Sequence, residues 1–364
     1  MEAIVAQIRA LISLADASER NKIVSNLNEL HLEFQDPMEL LYRIHCSTVQ
    51  IVVAKVGVDL GIFRDLAETN SSKTTTQLAQ DTGTDIELLE RILRFLASKE
   101  VEAAITHGLG TLSPAANATP AFLAETGYKN ITDSGNTPFQ KAFNTNLKAF
   151  DWLQGHPDLF GALQVVMTSL ESTNWTENFE MFHKEAESIL PRESQSAESP
   201  FLVDVGGGYG HQCIQLLKKY RNLHGRLVLE DLPEAVGGTQ HADGIIYLTQ
   251  NFFEKQAVCG AKFYYMRRIM HDWSDDECVK ILRLLVDAFG KDSSILLDEI
   301  VLPDIGAPWL ATMTDISMMI SFAGAERSSK KWHDIAQRAG LRIVHVQVYD
   351  HQQAYAMIVL KRAD

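Results

Sequence analysis

Residues 201–210, FLVDVGGGYG, decide the fold of this chain. The apolar FLVDV strand runs directly into a glycine turn, and a helical pattern follows as far as Tyr220. Glycines at such a turn let a ligand approach the backbone closely. The spacing is GxGxG, and His211 stands where a dinucleotide-binding fingerprint has its third glycine. The turn therefore favours a nucleoside without phosphates over a dinucleotide.

The rest of the C-terminal half alternates between strand-like and helical patterns. Short apolar runs are separated by amphipathic segments such as 275–289, and this alternation predicts a parallel sheet with helices on both faces. The last two strand-like runs, 341–350 and 354–362, predict an antiparallel hairpin at the sheet edge. The predicted fold class is α/β, with a doubly wound sheet. Its predicted parallel strands are FLVDV, RLVLE, IIYLT, KFYYM and SILLDE.

The N-terminal part has a helical pattern. Apolar residues from Met1 to Leu66 recur three and four positions apart, as in amphipathic helices. Residues 74–116 predict two helices separated by a glycine turn and then short strands around Gly108 and Gly110. That order predicts a winged helix. The apolar segment 52–63, VVAKVGVDLGIF, fits burial against a partner chain or against the chain's own core.

A segment rich in aromatic residues and methionine connects the two parts. Its helical stretch from Leu159 to Phe182 fits either a core or the cover of an apolar pocket. The polar, serine-rich run 185–200 is predicted to be a linker. The expected organisation is a helical, winged-helix-like dimerisation domain over 1–125, linking helices and a pocket cover over 126–195, and the doubly wound domain over 196–364.

Charge excludes one large class of partner. The 33 basic and 47 acidic side chains give a formal net charge of −14, and such a field repels a phosphate backbone. In the second helix of the predicted winged helix, Asp85, Glu87 and Glu90 offset Arg91 and Arg94. This is too little positive charge to read a DNA groove. We therefore expect no nucleic-acid partner.

The cysteines and the first residues bear on metal content and compartment. The four cysteines are scattered and form no CxxC pair, so no structural zinc site is predicted. Charged residues interrupt residues 1–20, where a signal peptide would be apolar, and no apolar run reaches the length of a membrane span. We expect a cytoplasmic protein with no membrane partner and no bound metal.

Two acidic residues follow the second predicted strand. Glu230 and Asp231 lie where an acidic side chain of a doubly wound fold accepts hydrogen bonds from both ribose hydroxyls. One carboxylate is enough for this role. The alternative is a helix N-cap, because residues 231–234, DLPE, also have the pattern of a helix start. The combination of acid, strand end and glycine turn favours ribose binding.

A histidine follows the fourth predicted strand. His271 lies in RRIMHDWSD, directly after KFYYM, so it is predicted on a loop at the carboxyl edge of the sheet, where ligands bind in this fold class. A neutral imidazole takes a proton from an acidic hydroxyl near neutral pH. Glu299, at a neighbouring strand end, and Glu326, in the GAERSS loop, are placed to orient its second ring nitrogen. His271 is therefore the candidate general base.

Together these motifs resemble a known family. The chain resembles the small-molecule O-methyltransferases of the caffeic-acid type, which depend on S-adenosylmethionine (SAM), and within them the fungal secondary-metabolite members. The resemblance covers nearly the whole chain. It implies a class I methyltransferase fold for the SAM-binding domain and a homodimer formed through the N-terminal helices. The segments that carry it are VDVGGGYG, EDLPEAV, NFFE, YYMRRIMHDWSDDECVKIL, LLDEIVLPD and DISMMISFAGAERSSKKW.

The resemblance also implies roles for individual residues. It makes His271 the base that deprotonates the acceptor hydroxyl, with Glu299 and Glu326 on either side of its ring. The expected cofactor-binding residues are Asp204, Gly206, Gly207, Gly208, Asp231, Leu232, Asn251, Phe252 and Arg267. The expected acceptor-binding residues are Phe179, Phe182, Arg268, Asp272, Met318, Met319 and Phe322.

One position departs from the family pattern. The family has an acid before the two aromatic residues of NFFE, where it holds the adenine amino group, and this chain has Asn251. An amide oxygen can accept the same hydrogen bond. We therefore expect weaker cofactor binding at this position, and not its loss.

The expected reaction is methyl transfer to a hydroxyl of a fungal polyketide, phenolic or related secondary metabolite. The alternative on the same scaffold is a pericyclase or dehydratase that binds SAM without transferring the methyl group, in which His271, Asp272 or Arg268 donates hydrogen bonds. A third interpretation, a metabolite-sensing DNA regulator, is opposed by the net charge of −14.

Overall fold

The computed structural model describes residues 2–34, 51–69, 73–96, 108–169, 175–189, 200–238, 241–351 and 353–363. The chain divides into two compact units. The sheet unit comprises Met1–Ser25, Asn130–Ser134 and Ser172–Asp364; the helical unit comprises Asn26–Lys129 and Gly135–Glu171.

An eight-stranded sheet forms the centre of the sheet unit, in the order β3-β2-β1-β4-β5-β8-β7, with β6 paired to β5. Strands β1 to β5 are parallel, and β8 runs antiparallel between β5 and β7. The five predicted parallel strands and the C-terminal hairpin are confirmed. The strands are β1 Leu202–Val205, β2 Leu227–Asp231, β3 Ile245–Thr249, β4 Phe263–Arg267, β5 Ser294–Leu302, β6 Arg327–Ser328, β7 Leu341–Asp350 and β8 Tyr355–Arg362.

Helices fill the described chain before the first strand and then alternate with the strands. Short 3₁₀ turns cover Arg221–Leu223 and Met270–Asp272, and Gly108–Leu112 forms a π-helical turn. The helices are α1 Glu2–Leu14, α2 Ala17–Phe34, α3 over residues 51–59, α4 Ile62–Thr69, α5 Thr75–Thr82, α6 Ile86–Leu96, α7 Ser113–Glu125, α8 Pro138–Phe143, α9 Ala149–Gln154, α10 Pro157–Ser169, α11 Glu180–Ser188, α12 His211–Lys219, α13 Pro233–Gly238, α14 Asp275–Asp287, α15 Trp309–Phe322 and α16 Ser329–Arg338.

Each face of the sheet packs against its own hydrophobic core. Side chains alternate along a strand, so Val203 packs with Leu282 of α14 and Trp332 of α16, while Leu202 joins the opposite core with Leu216 of α12. Both neighbours in β1 are fully buried. Burial on both faces is what a parallel sheet covered by helices requires. It holds the carboxyl ends of the strands together at one edge.

Helix α11 and the residue before it pack into the core of the sheet unit. Phe179 and Phe182 are 1% and 0% exposed, and both belong to the core that contains Phe201 and Phe263. The Phe182 ring lies 5.4 Å from that of Phe263. A ring with no exposed surface offers a ligand nothing to contact, so burial favours packing over the predicted acceptor-binding role for these two residues.

In the helical unit, the predicted helix-turn-helix is present as α5 and α6. Thr74 and Gln77 form a capping box at the start of α5, and Gly83 ends it in the left-handed region at φ 65°. The predicted strands around Gly108 and Gly110 are wrong, because these glycines lie in the π-helical turn that leads into the alanine-rich α7. The rest of the expected wing, residues 97–107, lies outside the described residues. No described helix is long and apolar enough to cross a membrane.

Candidate active site

The glycine turn after β1 is closed on one side and open on the other. Gly206 and Gly208 have φ angles of 74° and 56°, a region that favours glycine. A Cβ at Gly207 would lie 2.6 Å from Cγ of Asp204, whereas a Cβ at Gly208 would meet no atom within 4 Å. The turn therefore presents its free surface at Gly208.

Asp204 supports the turn from below. Its carboxyl is buried and lies 3.6 Å from the Cys213 thiol, which donates to it. Burial raises the pKa of Asp204 to about 7, against the hydrogen bond from Cys213. This predicted cofactor-binding residue therefore lies under the backbone of the turn.

Asp231 ties the end of β2 to the same turn. One carboxylate oxygen accepts from the Gly208 backbone N–H at 2.7 Å and the other accepts from that of Leu232 at 2.7 Å. Each oxygen retains a lone pair for a further donor such as a ribose hydroxyl. Glu230 is fully buried and accepts from Gln256 at 2.8 Å. Of the two acids, Asp231 is the one beside the open glycine.

The segment after β3 lies next to the turn. A Cβ at Gly206 would approach the Phe252 ring to 3.7 Å, and that ring lies edge-on to Trp273. The Asn251 side-chain oxygen accepts from the Phe253 backbone N–H at 2.9 Å. An aspartate would make the same bond, so the departure from the family pattern preserves the shape of this loop.

His271 lies in the 3₁₀ turn after β4, surrounded by carboxylates. Its Nδ1 is 2.7 Å from Oε1 of Glu326, and its Nε2 is 3.6 Å from Oδ1 of Asp272. Burial lowers the pKa of His271, but the negative charges of Asp272 and Glu326 outweigh burial and raise it to about 10. The imidazole is therefore strongly basic.

Glu299, on β5, is the third member of the cluster. Its Oε1 accepts from the Ile269 and Met270 backbone N–H groups at 2.9 and 2.8 Å, and burial raises its pKa to about 7. Among the described residues, Oε2 of Glu299 and Oε2 of Glu326 have no hydrogen-bond partner. The three residues predicted to form the catalytic group lie together, with one ligand atom of each within 4.8 Å of the others. The sequence had indicated no cluster suited to a metal ion.

Arg327, which the sequence did not single out, fixes this loop. Its buried guanidinium donates to the carbonyls of Met270 and Trp273 at 2.8 and 2.5 Å, on either side of His271. It also donates to Asp275 Oδ1 at 2.8 Å. The signal available in the sequence was its position directly after Glu326. A charged side chain with a polar neighbour is usually an exposed loop residue, so this position did not predict burial.

The backbone at Gly324 touches the backbone at His271. A Cβ at Gly324 would lie 2.0 Å from the His271 carbonyl oxygen, and the Ala325 N–H donates to the same oxygen at 2.9 Å. The loops that carry His271 and Glu326 are therefore joined at the level of the main chain.

Arg267 lies in a buried ion pair beside the cluster. Its Nη1 donates to Asp298 Oδ2 at 2.6 Å, and 9% of its side chain is exposed. The adjacent Arg268 has a left-handed backbone at φ 52°, and its guanidinium lies 4.4 Å from the Tyr355 ring centroid. Arg267 is thus engaged by β5, which limits what it can offer a cofactor.

Helix α15 leads directly into the loop of Glu326. Its last carbonyls, at Met318 and Met319, accept from the backbone N–H groups of Gly324 and Ala323, and Asp315 Oδ1 accepts from the Glu326 N–H at 2.8 Å. The predicted acceptor-binding residues Met318, Met319 and Phe322 are half-buried on this helix.

Comparison with known proteins identifies the family. The sequence profile of the O-methyltransferase domain matches residues 165–342. The demethylsterigmatocystin 6-O-methyltransferase of Aspergillus flavus is 34% identical over 100% of this chain and 98% of that protein. The chain belongs to the O-methyltransferase family. It falls in the fungal secondary-metabolite branch, whose cofactor is SAM.

Solved structures agree with this assignment. The O-methyltransferase LepI of Aspergillus flavus is 34% identical over 95% of both chains. The structure of LepI with SAM matches this O-methyltransferase with a TM-score of 0.88 over 99% of this chain and 98% of that chain. A structure described as a pericyclic reaction enzyme matches with a TM-score of 0.88 at 33% identity.

Proposed function

We propose that this O-methyltransferase transfers a methyl group to a hydroxyl of a fungal polyketide or phenolic metabolite, with His271 as the general base. One observation carries the proposal. Ile269 lies against the glycine turn, since a Cβ at Gly206 would be 2.8 Å from its Cδ1, and its N–H donates to Glu299 of the histidine cluster. The glycine turn is therefore connected to the cluster of the proposed base through Ile269 and Glu299.

The residues at the turn fit the cofactor. Gly208 leaves open space above the backbone, Asp231 offers carboxylate lone pairs beside it, and the Phe252 ring lies next to Gly206. SAM supplies a methyl group bound to a positively charged sulfur. We assign Asp231 to the ribose hydroxyls, and Phe252 with Asn251 to the adenine. Leu232, 41% exposed, lies alongside.

In this proposal His271 removes the proton of the acceptor hydroxyl through Nε2, because Nδ1 is held by Glu326. The proton can move only to a neutral imidazole. The carboxylates raise the pKa of His271 to about 10, so the ring must first lose a proton, and a positive ligand nearby lowers that pKa. A positioned base of this kind contributes roughly 10²- to 10⁴-fold to the rate.

We assign the acceptor to the side of the cluster formed by Asp272 and α15. Met318, Met319 and Phe322 supply half-buried apolar surface there, and flexible methionines suit an irregular or planar ligand. Asp272 adds a carboxylate whose pKa burial raises to about 6. This environment fits a largely apolar molecule with an acidic hydroxyl.

The test is incubation of the purified protein with SAM carrying a labelled methyl group and a panel of fungal phenolic and polyketide compounds. Label in a new product, with equal formation of S-adenosylhomocysteine, is the expected result. Bound but unconsumed SAM, together with an unlabelled isomerised or dehydrated product, would contradict methyl transfer.

That contrary outcome defines the second candidate, a pericyclase or dehydratase. The carboxylates that raise the pKa of His271 to about 10 keep its imidazole protonated at neutral pH, and a protonated ring is a hydrogen-bond donor. Arg268, whose buried Nε has no partner among the described residues, is a second donor. The likeness to the pericyclic reaction enzyme supports this candidate too.

We further propose a homodimer formed through the N-terminal helices. On α1, Ile4, Leu11 and Leu14 are 56%, 59% and 85% exposed, and apolar surface of this kind is typical of an interface. Light scattering coupled to gel filtration should give twice the chain mass. A monomer at micromolar concentration would contradict the dimer.

A further inference from the structure

The glutamates beside His271 each leave one oxygen without a partner. Glu299 is 0% exposed, and its Oε1 takes two backbone hydrogen bonds while Oε2 takes none among the described residues. Glu326 is 5% exposed. Its Oε1 faces His271, and its Oε2 has no hydrogen-bond partner among the described residues. Buried polar atoms in native proteins are rarely left unpaired. Two bare carboxylate oxygens can accept hydrogen bonds or bind a cation.

The carboxylates of Glu299 and Glu326 suit a divalent cation. A metal ion on His271 must displace the proton that its imidazole holds in the resting protein, so the metal and this proton compete for the ring.

We propose that His271, Glu299 and Glu326 bind a zinc-type divalent transition metal, and that the metal reversibly inhibits the enzyme by occupying the imidazole. The inhibitory half of this statement rests on the proposed role of His271 as base. One nitrogen and two carboxylate oxygens are a donor set that suits zinc. Magnesium prefers oxygen ligands alone in an octahedral arrangement.

The geometry fits this donor set. One ligand atom from each of the three residues lies within 4.8 Å of the others. Zinc lies about 2.0–2.2 Å from each nitrogen or oxygen ligand, so any two of these atoms near the 4.8 Å limit must move closer together on binding. Asp272 faces the other ring nitrogen at 3.6 Å. A carboxylate on the distal nitrogen is the partner that orients a histidine bound to metal.

The test is titration of the chelator-stripped full chain with zinc chloride by isothermal titration calorimetry, with magnesium chloride in parallel. We expect one zinc ion per chain and no comparable binding of magnesium. Glu299→Gln keeps an oxygen that accepts from Ile269 and Met270, so it preserves the fold while removing a charged ligand. It should abolish the site, and Asp272→Asn should weaken it roughly 10- to 100-fold.

Cys259→Ala is the matched control, because its exposed free thiol is a competing zinc ligand at the surface. It should leave the titration unchanged. Zinc bound equally well by Glu299→Gln, or no zinc bound by the parent chain, overturns the site. A thermal melt of each variant shows whether it is folded. Because binding is measured without an acceptor, the result for the zinc site does not depend on the outcome of the labelled-methyl experiment.

Discussion

Two consecutive residues of β5, Asp298 and Glu299, are both completely buried. They differ in how many of their carboxylate oxygens have hydrogen-bond partners. Asp298 accepts from Tyr265 at 2.7 Å, from Arg267 at 2.6 Å and from Tyr349. Glu299 accepts two backbone hydrogen bonds on one oxygen and has no partner for the other among the described residues. Side chains alternate along a strand, so one strand serves two different environments.

This difference in hydrogen bonding distinguishes a carboxylate that stabilises the fold from one that is free to take part in chemistry. A buried carboxylate whose oxygens accept from an arginine and two tyrosines is fixed in position. A buried carboxylate with a bare oxygen keeps capacity for a proton or a ligand, and burial accordingly raises the pKa of Glu299 to about 7. We expect substitutions on the Asp298 side to change stability, and substitutions on the Glu299 side to change function.

The largest effect is expected at the centre of the incomplete cluster. His271→Ala should lower methyl transfer by roughly 10²- to 10⁴-fold, because the proton of the acceptor loses its base. Cofactor affinity should not change, since the glycine turn is untouched. Single-turnover rates and SAM titrations measure the two quantities separately. Unchanged turnover would show that His271 is not the general base. It would also contradict the distinction between a structural Asp298 side and a functional Glu299 side of β5.

On the complete side, Asp298→Ala should destabilise the fold by about 3–5 kcal/mol, because it leaves the Arg267 guanidinium buried without its counter-ion. Glu299→Gln should change the free energy of unfolding by less than about 1 kcal/mol, since the amide oxygen still accepts both backbone bonds. Urea denaturation of the two variants makes the comparison. Equal losses would show that Glu299 is as structural as its neighbour.

A third prediction concerns the acidity of His271. Glu326→Gln should lower the pKa of His271 by roughly 1–3 units from about 10, because it removes a negative charge 2.7 Å from Nδ1. Nitrogen-15 NMR titration of the ring reports this pKa without an acceptor. Asp276→Asn, at an exposed carboxylate, is the control and should leave it unchanged. A pKa that stays near 10 in Glu326→Gln would assign the shift to the other carboxylates.

The same pKa has a consequence for stability. The folded-state pKa of His271 lies above its ordinary value of about 6.5. The charged ring therefore stabilises the folded chain fully below pH 6.5, and this contribution is lost as the pH rises toward about 10. In Glu326→Gln the loss should come at lower pH, which thermal melts across this range would detect.

The smallest effect is expected in the glycine turn, where the contrast between filled and open surroundings recurs. Gly208→Ala should weaken SAM binding by roughly 5- to 30-fold, equivalent to about 1–2 kcal/mol, because a methyl group enters the open surface and the backbone is left-handed. Gly340→Ala shares the positive φ and the open surroundings but lies outside the turn. It should cost similar stability and leave SAM affinity unchanged. Equal affinity losses in both would assign the effect to backbone strain.

The sequence predicts the features that depend on short stretches of chain. The five parallel strands and the glycine turn follow from local patterns, and the grouping of His271, Glu299 and Glu326 follows from the carboxyl edge of the sheet together with the family resemblance. The local sequence does not predict contacts with partners that are distant in the chain. Arg267 is captured by Asp298 from the next strand, and Phe182 is covered by Phe263. Neither partner is visible from the residues around the side chain itself.

The burial of Arg327 and the π-helical turn at Gly108–Leu112 were not predicted for a related reason. A charged side chain in a loop is usually solvated, and only the fold shows that the Arg327 guanidinium is buried against the carbonyls beside His271. At Gly108 and Gly110 the glycines favoured a turn between strands, but the proline and alanines that follow extend a helix through them. A glycine in the sequence indicates backbone flexibility, but it does not show whether a turn, a strand or a helix contains it.

The contact between Gly324 and the His271 carbonyl sets a limit for anyone who redesigns this enzyme. No side chain fits at position 324, since even a Cβ would lie 2.0 Å from that oxygen. Directed evolution libraries should therefore leave residues 271 and 324–326 fixed as one cassette. Diversity belongs on the half-buried positions of α15 that precede the cassette, such as Met318 and Phe322, which we propose contact the acceptor, while the proposed base keeps its place.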